Sequence, residues 1–107
     1  RGDAPPSNVV RVGGLAVDLA ARSVTVGGAA VSLTPTEFDL LVVLARNPGR
    51  PFTRAQLMDL VYDVAYDGYD RAIDSHIKNL RRKIEPDSRD PRYVLTVYGV
   101  GYKMAEQ

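Results

Sequence analysis

The sequence predicts an α+β fold: a four-stranded antiparallel sheet, three helices and a terminal β-hairpin. Three observations point to it. Four short segments rich in valine and leucine fill the first third, separated by spacers of hairpin length. Two capped helix starts follow at Thr34 and Thr53, and Asp70–Ile84 carries a helical period. Two alternating segments around Tyr98-Gly99-Val100-Gly101 then close the chain. A chain of 107 residues with 45% hydrophobic content is enough for one core and not for two.

The strands are expected at Val9–Val12, Leu15–Asp18, Ser23–Val26 and Ala30–Leu33, with turns at Gly13-Gly14, Ala20–Arg22 and Gly27-Gly28. A meander is the simplest way to pair them. Thr34-Pro35-Thr36-Glu37 then forms a capping box. Threonine accepts from the N3 amide, proline suits N1 because it lacks an amide hydrogen, and glutamate returns to the cap. This first helix should run to about Arg46 and stop at Asn47-Pro48-Gly49. Phe38 and the run Leu40–Ala45 make it apolar nearly all round, which predicts a central buried helix.

Thr53-Arg54-Ala55-Gln56 repeats the capping logic and opens a second helix to about Tyr62, with Leu57, Leu60 and Val61 as its apolar face. Residues 63–70 break the period and read as a loop. In the third helix Ile73, Ile77, Leu80 and Ile84 share one stripe, while Arg71, Ser75, Lys78 and Arg82 share another. At roughly 100° per residue the two stripes lie about 180° apart. One face suits a core and the other offers cations and a hydroxyl. Pro86 closes the helix, and the hairpin strands are expected at Tyr93–Val97 and Tyr102–Met104.

Net charge is only +1, so no global basicity marks a polyanion partner. The placement of charge does. From Arg71 to Lys83 there are five cations against one anion, Asp74, whereas Asp59, Asp63, Asp67 and Asp70 form an acidic run just before. A three-helix unit followed by a hairpin is a winged helix-turn-helix. Its third helix enters a major groove of about 12 Å, and its wing reaches the neighbouring backbone or minor groove.

Enzyme readings fail on geometry. Asp74-Ser75-His76 holds the residue types of a hydrolase triad, but consecutive helical positions splay by about 100° and form no relay. Gly99-Val100-Gly101 sits in a hairpin with no helix after it, which excludes a dinucleotide loop. One histidine and no cysteine leave little for a zinc site, so no metal or cofactor is expected. The lack of cysteine fits a reducing compartment. No apolar run approaches the ~18 residues of a membrane span, and no cleavable leader is recognisable.

The segments LTPTEFDLLVVLARNPGRPFTRAQLM, DRAIDSHIKNLRRKIEP and VLTVYGVGYKM closely resemble the effector domain of OmpR/PhoB-type response regulators. The resemblance covers residues 9–104. It makes residues 1–8, of linker composition, the remnant of an interdomain linker, and 9–107 the effector domain. It implies a bacterial cytoplasmic transcription factor, phosphorylated by a sensor histidine kinase on a receiver domain that lies outside this chain. Phosphorylation then promotes dimerisation and binding to tandem direct repeats, while the isolated effector is expected to be monomeric.

Carried over by position, the resemblance implies phosphate contacts from Arg71 and Arg82. It implies groove contacts from Ser75, His76, Lys78 and Asn79, and wing contacts from Thr96 and Tyr98. The family commonly has arginine where this chain has Tyr98, whose hydroxyl reaches only phosphate or sugar edges. It often has a second basic residue where this chain has Asn79, which gains a bidentate bond to adenine. The loop residues Asp63, Asp67 and Tyr69 match the region where activators of this family touch RNA polymerase; a solvated spacer is the plainer reading. His76, about 60° from the apolar stripe, suits half-buried packing as well as DNA contact. Asp74 either pairs with Lys78 or Arg81 at the surface or orients a groove-facing cation. Tyr93 and Tyr102 are expected in hairpin packing. A winged helix that docks an acidic protein is the alternative function.

Overall fold

The computed structural model describes residues 8–61 and 70–106. The loop residues Asp63, Asp67 and Tyr69 and the leading residues 1–7 lie outside them, as does the side chain of Arg71. The chain opens with β1 (Val9–Val12), β2 (Leu15–Asp18), β3 (Ser23–Val26) and β4 (Ala29–Val31), paired in that order as an antiparallel sheet. Inward positions Val12, Leu15, Val17 and Val24 are buried, as the period-2 rule requires. The fourth strand is Ala29–Val31 rather than Ala30–Leu33. Its ladder ends where Val31 meets Val24, and Thr34 must already be extended as the cap of the next helix.

Helix α1 (Pro35–Ala45) begins with the complete capping box: the Glu37 amide donates to Thr34 Oγ1 at 3.2 Å and the Thr34 amide to Glu37 Oε1 at 3.0 Å. Leu40, Leu41 and Leu44 are fully buried, but Val42 and Val43 stay partly exposed, so one side of α1 remains open. After it, β5 (Phe52–Thr53) leads into α2 (Arg54–Val61). Leu57 and Met58 are buried on α2, whereas Leu60, expected on its apolar face, is 58% exposed. Leu57, Met58 and Val61 fall within about 100° of arc, and Leu60 lies about 60° beyond its edge.

Helix α3 (Asp70–Ile84) buries Ile73, Ile77, Leu80 and Ile84 against α1 and α2. The wing strands β6 (Val94–Val97) and β7 (Gly101–Met104) follow. They start one residue later and one residue earlier than the alternation suggests. The unexpected strand β5 pairs with β7, giving a three-stranded sheet in the order β5-β7-β6. An added Cβ on Gly101 would collide with the Phe52 carbonyl, so this pairing requires glycine there. Tyr93 and Tyr102 are both buried. Glu85 accepts the amides of Arg92 and Val94 at 2.7 and 2.9 Å and that of Tyr93 at 3.1 Å, which fastens the entry to β6 against the end of α3. No helix among the described residues is long and apolar enough to cross a membrane.

Candidate nucleic-acid interface

Burying the isoleucine and leucine stripe fixes the rotation of α3, and that rotation sorts its polar residues. Ser75, Lys78, Asn79 and Arg82 are exposed, and His76 is half-buried at the margin. Lys78 and Arg82 have no protein partner among the described residues. The other cations of the helix are engaged. Lys83 Nζ donates to the buried Glu37 carboxylate at 2.6 Å, tying the end of α3 to the start of α1. Arg81 turns toward the wing, donating from Nε to the Val94 carbonyl at 3.0 Å and from Nη2 to Thr96 Oγ1 at 2.7 Å.

Asp74 forms the second tie. Its Oδ1 accepts from Arg54 Nε of α2 at 2.7 Å and from the Tyr102 hydroxyl of β7 at 2.5 Å. Arg54 and Arg81 both lie over the Tyr102 ring, 5.9 and 5.4 Å from its centroid. Asp74 is thus held by Arg54 and Tyr102 rather than by Lys78 or Arg81, and it joins α2, α3 and the wing. Burial, then the bond to Asp74, raises the Tyr102 pKa above the ordinary tyrosine value. The bond to Asp74 likewise raises that of Arg54. At Glu37 burial opposes ionisation, but bonds from Lys83 and Thr34 outweigh it and lower the pKa.

At the wing tip Tyr98 is 91% exposed. The Val100 amide donates to the Val97 carbonyl at 2.9 Å, and Gly99 takes φ +81°, the geometry of a tight turn that favours glycine at its third position. Thr96 is exposed, and its Oγ1 serves first as the acceptor for Arg81. The structure therefore gathers Ser75, Lys78, Asn79, Arg82, Thr96 and Tyr98 along α3 and the wing, with His76 at the edge. Arg54 and the Glu37–Lys83 pair were not singled out from the sequence, and Arg81 was expected beside Asp74 rather than on the wing. Their partners lie 13 or more residues away, and no local pattern signals them. No cluster of three or more metal-ligating side chains occurs among the described residues.

The pattern of the family described as "Transcriptional regulatory protein, C terminal" matches residues 28–104. The DNA-binding response regulator MtrA of Mycolicibacterium smegmatis is 43% identical over 103 residues, which is 96% of this chain and 45% of that protein. The chain thus spans less than half the length of this relative. Among solved structures, response regulator DrrB, a Thermotoga maritima OmpR/PhoB homologue, superposes with a TM-score of 0.83 at 33% identity, covering 92% of this chain and 44% of that one. The Klebsiella pneumoniae RstA DNA-binding domain in complex with the RstA box gives 0.81 at 35%, covering 91% and 96%.

Proposed function

This chain belongs to the OmpR/PhoB-type family of response-regulator effector domains, a non-enzymatic DNA-binding family, and from that premise we propose that it recognises specific double-stranded DNA in tandem direct repeats to control transcription. The observation that carries this reading is the sorting of α3: its apolar stripe is buried while Lys78 and Arg82, beside Ser75 and Asn79, are exposed and have no protein partner among the described residues. In the major groove, Lys78 suits guanine O6 and N7, and Asn79 suits adenine. Arg82 and Arg71 suit phosphate, which positions the helix without reading sequence. Ser75 and His76 border the base-reading pair. Thr96 and Tyr98 carry the wing to adjacent backbone or sugar edges.

In the whole protein, a receiver phosphorylated by a sensor histidine kinase brings two effectors together in the bacterial cytoplasm. The isolated domain is then monomeric, weak on one half-site and tighter on two linked sites, because linkage raises effective concentration. Asp63, Asp67 and Tyr69 form a surface toward RNA polymerase. Neutralising both aspartates then lowers transcription from a dependent promoter and leaves DNA binding intact; equal loss of both sinks that assignment. Residues 1–8 serve as the tail of the interdomain linker.

A salt titration against random and repeat-containing duplexes tests the reading. DNA recognition gives a steep log–log salt dependence with a preference for the repeat that survives added salt. A module that docks an acidic protein gives neither.

A further inference from the structure

The loop between α3 and β6 carries cations of its own to the recognition helix. Lys78, Arg82, Ser88 and Arg89 line one cleft of about 380 Å³, together with Asp74 and Arg81. Asp74 is committed to Arg54 and Tyr102, and Arg81 to the wing. Three cations and a hydroxyl are left to face the opening. Every side chain that lines it ends in a charged or polar group, carried on aliphatic stems that form much of its walls.

The loop is held in shape at both ends. Glu85 binds the amides on its far side, and Asp87 Oδ1 accepts the Arg89 amide at 3.0 Å, an Asx turn. The Arg89 guanidinium itself is held loosely. Its Nε lies 3.6 Å from Asp87 Oδ1, in a pair whose side chains are 91% and 54% exposed. Such an exposed pair contributes little and exchanges readily for a stronger anion.

We propose that this cleft is a phosphate clamp of the DNA interface, in which Arg89 and Ser88 close over a backbone phosphodiester already drawn to Arg82, while Lys78 on the cleft's groove side reads a base. Guanidinium forks and a hydroxyl donor suit the non-bridging oxygens of a diester. The clamp extends the interface along the strand beyond the recognition helix and the wing tip. It rests on the DNA-binding reading above and adds a contact segment to it.

Fluorescence anisotropy with the chain and a duplex carrying a preferred site, at several salt concentrations, tests the clamp. Arg89→Ala should raise Kd roughly three- to tenfold on preferred and random DNA alike and lower the salt slope by about one. Asp87→Asn keeps an acceptor for the Arg89 amide while removing the competing charge, and should tighten binding. A neutral methylphosphonate placed at each backbone position in turn should weaken the unaltered chain at one flanking position and leave the Arg89→Ala variant unaffected there. Inorganic phosphate should compete no better than chloride at equal ionic strength; strong competition lost in Arg89→Ala would make the cleft a free-anion site and overturn the clamp. Binding by Arg89→Ala with unchanged affinity and slope would overturn it too, while leaving DNA recognition standing. Failure of the unaltered chain to bind any duplex would overturn both.

Discussion

The two sides of α3 carry similar residues and have opposite fates. On the side toward α2 and the wing, Asp74 and Arg81 are satisfied by Arg54, Tyr102, Thr96 and the Val94 carbonyl. On the outer side, Ser75, Lys78, Asn79 and Arg82 are exposed, and Lys78 and Arg82 have no protein partner among the described residues. Arg81 and Arg82 are neighbours in sequence, yet one step of about 100° separates a strut from an anion-facing residue. Of the five cations that mark this helix, at least two hold the fold together. The engaged side sets the angle between recognition helix and wing, and the outer side uses that angle.

The largest effect expected from breaking the engaged side comes at its far end. Glu37→Ala removes the return bond of the capping box and the partner of Lys83. It should cost about 3 kcal/mol in urea unfolding at neutral pH. Because the folded pKa of Glu37 is depressed, its contribution is complete above the unfolded value of ~4.3 and is lost as pH falls through the lower, folded value. Glu37→Gln should therefore flatten the acid limb of the stability profile; an unchanged limb would place the acid sensitivity elsewhere.

A smaller loss is expected at the wing. Tyr102→Phe deletes the hydroxyl bound to Asp74 and should destabilise by about 1.5 kcal/mol. Its DNA affinity should fall evenly over all sequences, since it moves the wing without touching a base. Sequence-selective loss would show that Tyr102 participates in reading. As a phosphate contact, Arg71→Ala should leave stability within about 0.5 kcal/mol, lower the salt slope by about one and weaken all DNA alike.

The smallest effect belongs to Leu60. Despite its place in an apolar pattern it is 58% exposed, so Leu60→Ser should change the melting free energy by less than about 0.5 kcal/mol. A loss like that of a core leucine would mean that its side chain is buried in solution.

What was legible in the sequence follows the range of the interactions. The meander pairs successive strands across glycine turns, and α3 displays its period over fifteen residues, so both could be read locally. The capping half of Glu37 was equally plain from Thr34. Its second partner, Lys83, lies 46 residues away and leaves no local trace. Strand β5 is two residues long and exists only because β7 lies alongside, which no propensity reports. The outward face of the candidate interface was readable because burying one stripe of a helix dictates the other. The engagement of Arg81 and Asp74 was not, because it depends on where the wing packs. Leu60 misled for a related reason: α2 is short, and its neighbours select which arc is covered.

The division of α3 is tested most directly by a matrix of binding free energies: Lys78→Ala, Asn79→Ala, Arg71→Ala and Tyr102→Phe, each against every single-base substitution of a preferred site. Base reading from the outer centre predicts that Lys78→Ala and Asn79→Ala each relax discrimination at one position by ~1–3 kcal/mol, with little change on random DNA. Arg71→Ala and Tyr102→Phe should lower every column equally. Uniform loss in the Lys78 and Asn79 rows would contradict the division and leave base reading to Ser75, His76 or DNA shape.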